Sequence, residues 1–149
     1  MPDEAFKWMS RIRAVERGYE AIRFGTDRLM RAANDDLSIL AGPVTRPDII
    51  RASERLEGTY IIRVFSEFET ALHHFILAFH IRRPRAAEAL VNRVRVRGTI
   101  PRIFTDPVHW GREYRNVLVH ERSRPVAPVT IREAMHALWR FLSRVQRIW

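Results

Sequence analysis

The chain has 149 residues, of which 46% are hydrophobic and 29% charged, enough to bury one core and too apolar for a disordered segment. It contains no cysteine, which excludes a disulfide framework, a thiol nucleophile and any cysteine-based zinc site. Its formal charge of +9 favours polyanionic partners.

In chain order the pattern is helical. Ala5, Trp8, Met9, Ile12, Val15, Tyr19, Ile22, Leu29, Met30 and Ala33 recur at spacings of three and four, predicting a long helix over 3–33 that Gly25 could bend. Asn34-Asp35-Asp36 and Gly42-Pro43 mark a loop. Thr45-Arg-Pro-Asp48 has the form of a capping box with a first-turn proline, opening a second helix over 47–81. Its stripe of Ile61, Val64, Phe65, Phe68, Leu72, Phe75, Ile76 and Phe79 is the strongest core signal in the chain. A shorter helix over 85–97 should stop at Gly98, although Val94-Arg-Val-Arg97 also alternates like a strand. Asp106-Pro107 reads as the N-cap and first turn of a helix over 107–121. Thr130-Ile-Arg-Glu133 is a capping box for a last helix that buries Ile131, Met135, Leu138, Leu142 and Val145. The expectation is one domain over 1–149, an all-α, up-and-down helical bundle of about five helices. Met1-Pro-Asp-Glu lacks the basic and apolar regions of a signal peptide, and no run of apolar residues is long enough to cross a membrane, so a cytoplasmic protein is expected.

The positive charge is segregated. Residues 1–81 carry 11 basic and 12 acidic side chains, whereas residues 82–124 carry 11 arginines against 4 acids. Within the basic stretch lies Arg115-Asn116-Val-Leu-Val-His120. Arginine keeps its proton and can only bind and stabilise negative charge; histidine moves protons near neutral pH. The Arg-Asn-x3-His string is expected only about 0.02 times by chance in a chain of this composition. On a helix over 107–121, Arg112, Arg115, Asn116 and His120 fall within a roughly 140° arc. Trp110, Tyr114, Val117 and Leu118 take the opposite side, the expected buried face. The suite fits chemistry on a phosphodiester, with one shortfall. Cleaving RNA by acid–base chemistry needs two proton-moving groups, and the arc offers one histidine. A two-fold dimer that sets two such helices together would supply the second.

Arg115-Asn116-Val-Leu-Val-His120 resembles the Arg-polar-x3-His signature of HEPN domains, the higher-eukaryote and prokaryote nucleotide-binding superfamily. In those all-α bundles the signature follows two long helices, and the run from Phe65 to Phe75 resembles their second helix. The resemblance implies a metal-independent endoribonuclease acting as a homodimer, a toxin or anti-phage defence effector held in check by an antitoxin protein. It implies that Arg115 stabilises the scissile phosphate, Asn116 fixes the geometry and His120 moves the proton, leaving a 2′,3′-cyclic phosphate without metal or other cofactor. Many members carry Gly after the histidine, where this chain has Glu121.

Arg112, Arg122 and Arg124 are the candidate substrate-binding residues, flanking the motif in the basic stretch. Glu67 and Glu69 are candidate partners for the site's arginines. Glu69 and His73 stand one turn apart and could share a metal, but no third ligand follows at helical spacing; with His74 and His80, His73 reads as a packing or solvent-facing residue. Trp110, Trp139 and Trp149 could stack on bases, though aromatics at this spacing usually belong to a core. Two rival readings remain. One is a catalytically silent module of the same shape that binds RNA, nucleotide or a protein. The other is a basic helical DNA-binding domain, for which 85–97 would make a poor recognition helix.

Overall fold

The computed structural model describes residues 4–40, 42–120 and 125–149. It is an all-α bundle with five α-helices and no strand among the described residues. α1 spans Glu4–Asp35, α2 Arg46–Ala78, α3 Ala87–Arg97, α4 Arg102–His120 and α5 Ile131–Val145, with a 3-10 turn over Leu37–Ile39. α1 runs unbroken through Gly25.

α2 is the axis of the molecule and packs against all four other helices. Its stripe is buried as its periodicity predicts. Phe68 meets Phe141 of α5 edge-on at 5.7 Å, and Phe75 meets Trp149 in the same way at 5.4 Å. Edge-to-face contacts of this kind add to the burial energy of the rings. α1 lies antiparallel to α2, since Tyr19 meets Tyr60 and Trp8 meets His74. α4 is also antiparallel to α2: Leu118 packs at Gly58, and Gly111 lies on Phe65. A Cβ at Gly111 would stand 2.5 Å from the Phe65 ring, so this glycine is what allows α4 to approach α2 closely.

Both capping boxes form. The Asp48 amide donates to Thr45 Oγ1, and the Thr45 amide donates to Asp48 Oδ2 at 3.0 Å. The Thr130–Glu133 box closes reciprocally at 2.8 and 3.2 Å. His80 adopts φ +52 after α2, and the Ile81 amide reaches back to the Ile76 carbonyl. That is the turn which ends a helix in the left-handed region, so His80 is a terminator.

The 85–97 helix stops at Gly98 as expected, its end is refined, and the start of α4 is corrected. The 94–97 segment is helical, with Val94 buried. α3 ends at Gly98, but Gly98 keeps a helical φ of −86 and Thr99 takes the left-handed conformation instead, so that Ile100 turns under the helix and is buried. α4 begins at Arg102, not at the Asp106-Pro107 signal, and carries Pro107 inside. Thr105 and Val108 are buried, and packing of that early turn outweighs the single backbone hydrogen bond that Pro107 cannot donate.

Candidate active site on helix α4

α4 lies between α3 and α5 and presents two different sides. Toward α2 and α3 it carries the arginines of the motif. The Arg115 guanidinium forms an ion pair through Nη2 with Glu69 of α2, and its Nη1 donates to Asn116 Oδ1 at 3.1 Å. Arg115 Nε is buried without a partner. Arg112 reaches Glu88 of α3 at 3.5 Å, and its side chain is only 12% exposed. Next along this side, His109 Nε2 lies 3.2 Å from Asn92 Oδ1. That oxygen can only accept, so the pair requires the Nε2–H tautomer. Burial, then the nearby Arg112, pushes His109 below its ordinary value of 6.5.

The structure thus brings Arg115 and Asn116 together, as the sequence arc does, and adds Glu69. Arg112 is drawn toward α3. His120 is the last residue of α4 and is exposed. Asn116 stands one turn before it on the same face. The Arg115 guanidinium reaches across to Glu69 of α2. Because α2 and α4 are antiparallel, Glu69 lies toward the start of α4, beyond the Phe65–Gly111 contact. Arg122, Arg124 and Glu121 lie outside the described residues.

Glu67, the other candidate counter-ion, pairs instead with Arg11 of α1 at 3.1 Å. Glu69 and His73 line a cavity of about 360 Å³ with Arg83 and Arg85, at the start of α3. No group of three metal-ligating side chains occurs among the described residues. Burial, then Arg83, lowers the pKa of His73.

The expected buried face of α4 is only partly correct. Tyr114, Val117 and Leu118 are half-buried, but Trp110 is 62% exposed. Thr105, Val108 and Gly111 form the buried edge instead. Once the helix approaches α2 through a glycine, small residues must fill its closest line, and Trp110 rotates out. It lines a groove of about 590 Å³ between α4 and α5. Arg115, Asn116 and His120 do not line that groove.

Sequence reasoning missed Glu88 and the groove. A carboxylate 24 residues away from Arg112 leaves no periodic signal, and the groove depends on which residues α4 turns away from α2. The chain matches no protein-family model, no curated protein and no solved structure. The site is therefore read from its own residues. No helix among the described residues is long and apolar enough to cross a membrane.

Proposed function

We propose that this chain is a metal-independent endoribonuclease of HEPN type, a toxin or defence effector held in check by a partner protein, which cuts RNA at a site shared by two copies. The observation that carries this reading is the joined pair Arg115–Asn116 on the helix that ends in His120. In the reaction the ribose 2′-oxygen attacks phosphorus, the O2′–P bond forms and the P–O5′ bond breaks. One imidazole removes the 2′ proton and a second protonates the departing 5′-oxygen. His120 supplies one of these groups, and His120 of a second copy supplies the other. The Nη hydrogens of Arg115 not taken by Glu69 and Asn116 stabilise the charge on the phosphate. A carboxylate that holds a half-buried guanidinium also fixes its orientation before substrate arrives.

The test is incubation of folded wild type and His120→Ala with mixed RNA in EDTA. Wild type should cut and leave 2′,3′-cyclic phosphate ends, and His120→Ala should be slower by at least about 100-fold. Equal cutting by both would place the chemistry elsewhere; loss of activity in EDTA would end the metal-free mechanism; activity in a strict monomer would end the shared site.

One observation favours a second reading, a silent module that binds RNA, nucleotide or a protein. The Arg115 guanidinium is already engaged by Glu69 of α2 and is only 16% exposed. Such a module would bind RNA equally well with His120→Ala and cut nothing.

A further inference from the structure

The groove between α4 and α5 combines three features that the motif side lacks. The first is exposed aromatic surface. Trp110 is 62% exposed beside the exposed Ile103, and Phe104 lies in the floor. A second cavity of about 410 Å³ shares Phe104 and Arg140 with the groove and continues it past Trp139. The second feature is a basic row. Arg132, His136, Arg140 and Arg144 follow each other at intervals of four residues on α5, which stacks them on one face about 6 Å apart along the axis.

The third feature is the state of the row's arginines. Among the described residues no acidic side chain pairs with Arg132, Arg140 or Arg144. The one carboxylate in the groove, Glu133, is taken up by the Thr130 amide and hydroxyl at the helix cap. Arg140 and Arg144 both stand over the Phe104 ring, at 4.8 and 4.3 Å from its centre. Stacking holds a guanidinium in place without neutralising it. The side chains are thus positioned along the groove with their charge available.

A basic track interleaved with exposed aromatic faces is how proteins hold single-stranded nucleic acid, with bases stacking on rings and phosphates lying along the cations. We propose that this groove is a binding site for single-stranded RNA, separate from the Arg115–His120 motif, with a base on Trp110 and the backbone along Arg132, Arg140 and Arg144. An acidic protein segment would meet the same charge. It would have no use for a regularly spaced row beside an exposed indole, and the observations favour a polyanion with flat, unpaired bases. Ala127, Pro128 and Val129 line the groove. The inference rests on RNA being the substrate class of the proposed function.

The test uses the full chain carrying His120→Ala, in EDTA, and follows the anisotropy of a short fluorescein-labelled oligouridylate. Adding Trp110→Ala should weaken binding roughly 5- to 100-fold. Adding Arg140→Ala or Arg144→Ala should each reduce the slope of log affinity against log salt by about 0.7. Circular dichroism confirms that each variant is folded. Unchanged affinity in all three variants would overturn the proposal. So would equal binding of a duplex RNA of matched length, or displacement of the oligouridylate by polyglutamate with no dependence on Trp110. Binding that depends on the groove, with no cleavage by the chain with His120 intact, would uphold the groove and overturn the ribonuclease. Cleavage that depends on His120, with binding indifferent to the groove, would do the reverse.

Discussion

The two sides of α4 draw on the same arginine-rich half of the chain and end in opposite electrostatic states. Toward α2 and α3, Arg115 and Arg112 are mostly buried and paired with Glu69 and Glu88. Toward α5, Arg140 and Arg144 both stand over the Phe104 ring and pair with no acid among the described residues. The arginines do not differ; their neighbours do. α2 and α3 each present a carboxylate to α4, whereas the only acid on α5 is committed to capping its own first turn. A basic composition therefore says that a chain can meet a polyanion, and the distribution of acids on adjacent helices says where.

The largest effect that would sharpen this contrast comes from removing a counter-ion. Glu69→Ala leaves a guanidinium that is only 16% exposed with Asn116 as its remaining partner. Stability to urea should fall by about 1–3 kcal/mol, the scale of a lost hydrogen bond to a charged group. Arg115→Ala removes the charge along with the pair. If the ion pair is the reason for the loss, the double variant should be less destabilised than the sum of the two single ones. Full additivity would mean that the pair is incidental, and the contrast between the two sides would lose its electrostatic basis.

A smaller, graded effect is expected from acid. His73 and His109, both on the α2–α3 side, are held below their ordinary value of 6.5, in each case by burial first and then by an arginine, Arg83 or Arg112. A histidine depressed in this way stays neutral in the folded chain while the unfolded chain takes up its proton. The stability it supports is complete above about pH 6.5 and is lost as pH falls through that value. The urea midpoint should therefore drop as pH is lowered from about 7 to 5, and His109→Gln should flatten that dependence. Carboxylates do not mimic the effect in this window. Asp48, lowered to about 2 by Thr45 and Arg51, acts only below its ordinary 3.8. Glu16, raised by burial and by Glu20 from an ordinary 4.5, shifts stability in the opposite sense. A midpoint that rises on acidification would refute the assignment of buried, neutral histidines to this side.

The fold was largely legible, because its signals are local. The period of Phe65, Phe68, Leu72 and Phe75, and the reciprocal spacings Thr45–Asp48 and Thr130–Glu133, depend only on residues within a few turns. The placing of Arg115 and Asn116 on one polar arc of α4 was legible for the same reason. What stayed hidden depends on neighbours distant in sequence. Asp106-Pro107 carries a strong local start signal, yet α4 starts earlier because Thr105 and Val108 find buried places against other helices. The burial expected for Trp110 fails because the closest line of α4 passes through Gly111, opposite Phe65. The counter-ion Glu88 lies 24 residues from Arg112, and no periodicity links such positions; Glu69, 46 residues from Arg115, was one of two candidate acids, and only the packing of α4 on α2 chooses it over Glu67.

The smallest effect belongs to Trp110, and its smallness is the informative part. A tryptophan that anchors a core costs about 3–5 kcal/mol when cut to alanine. Here the ring is 62% exposed and meets no other ring, and alanine suits a helical position better than tryptophan does. Trp110→Ala should therefore change the urea midpoint stability by no more than about 0.5 kcal/mol. A ring that contributes so little to folding is available for the base stacking proposed for the groove. A loss of several kcal/mol would instead make Trp110 a structural residue, and the two sides of α4 would then differ in charge pairing alone.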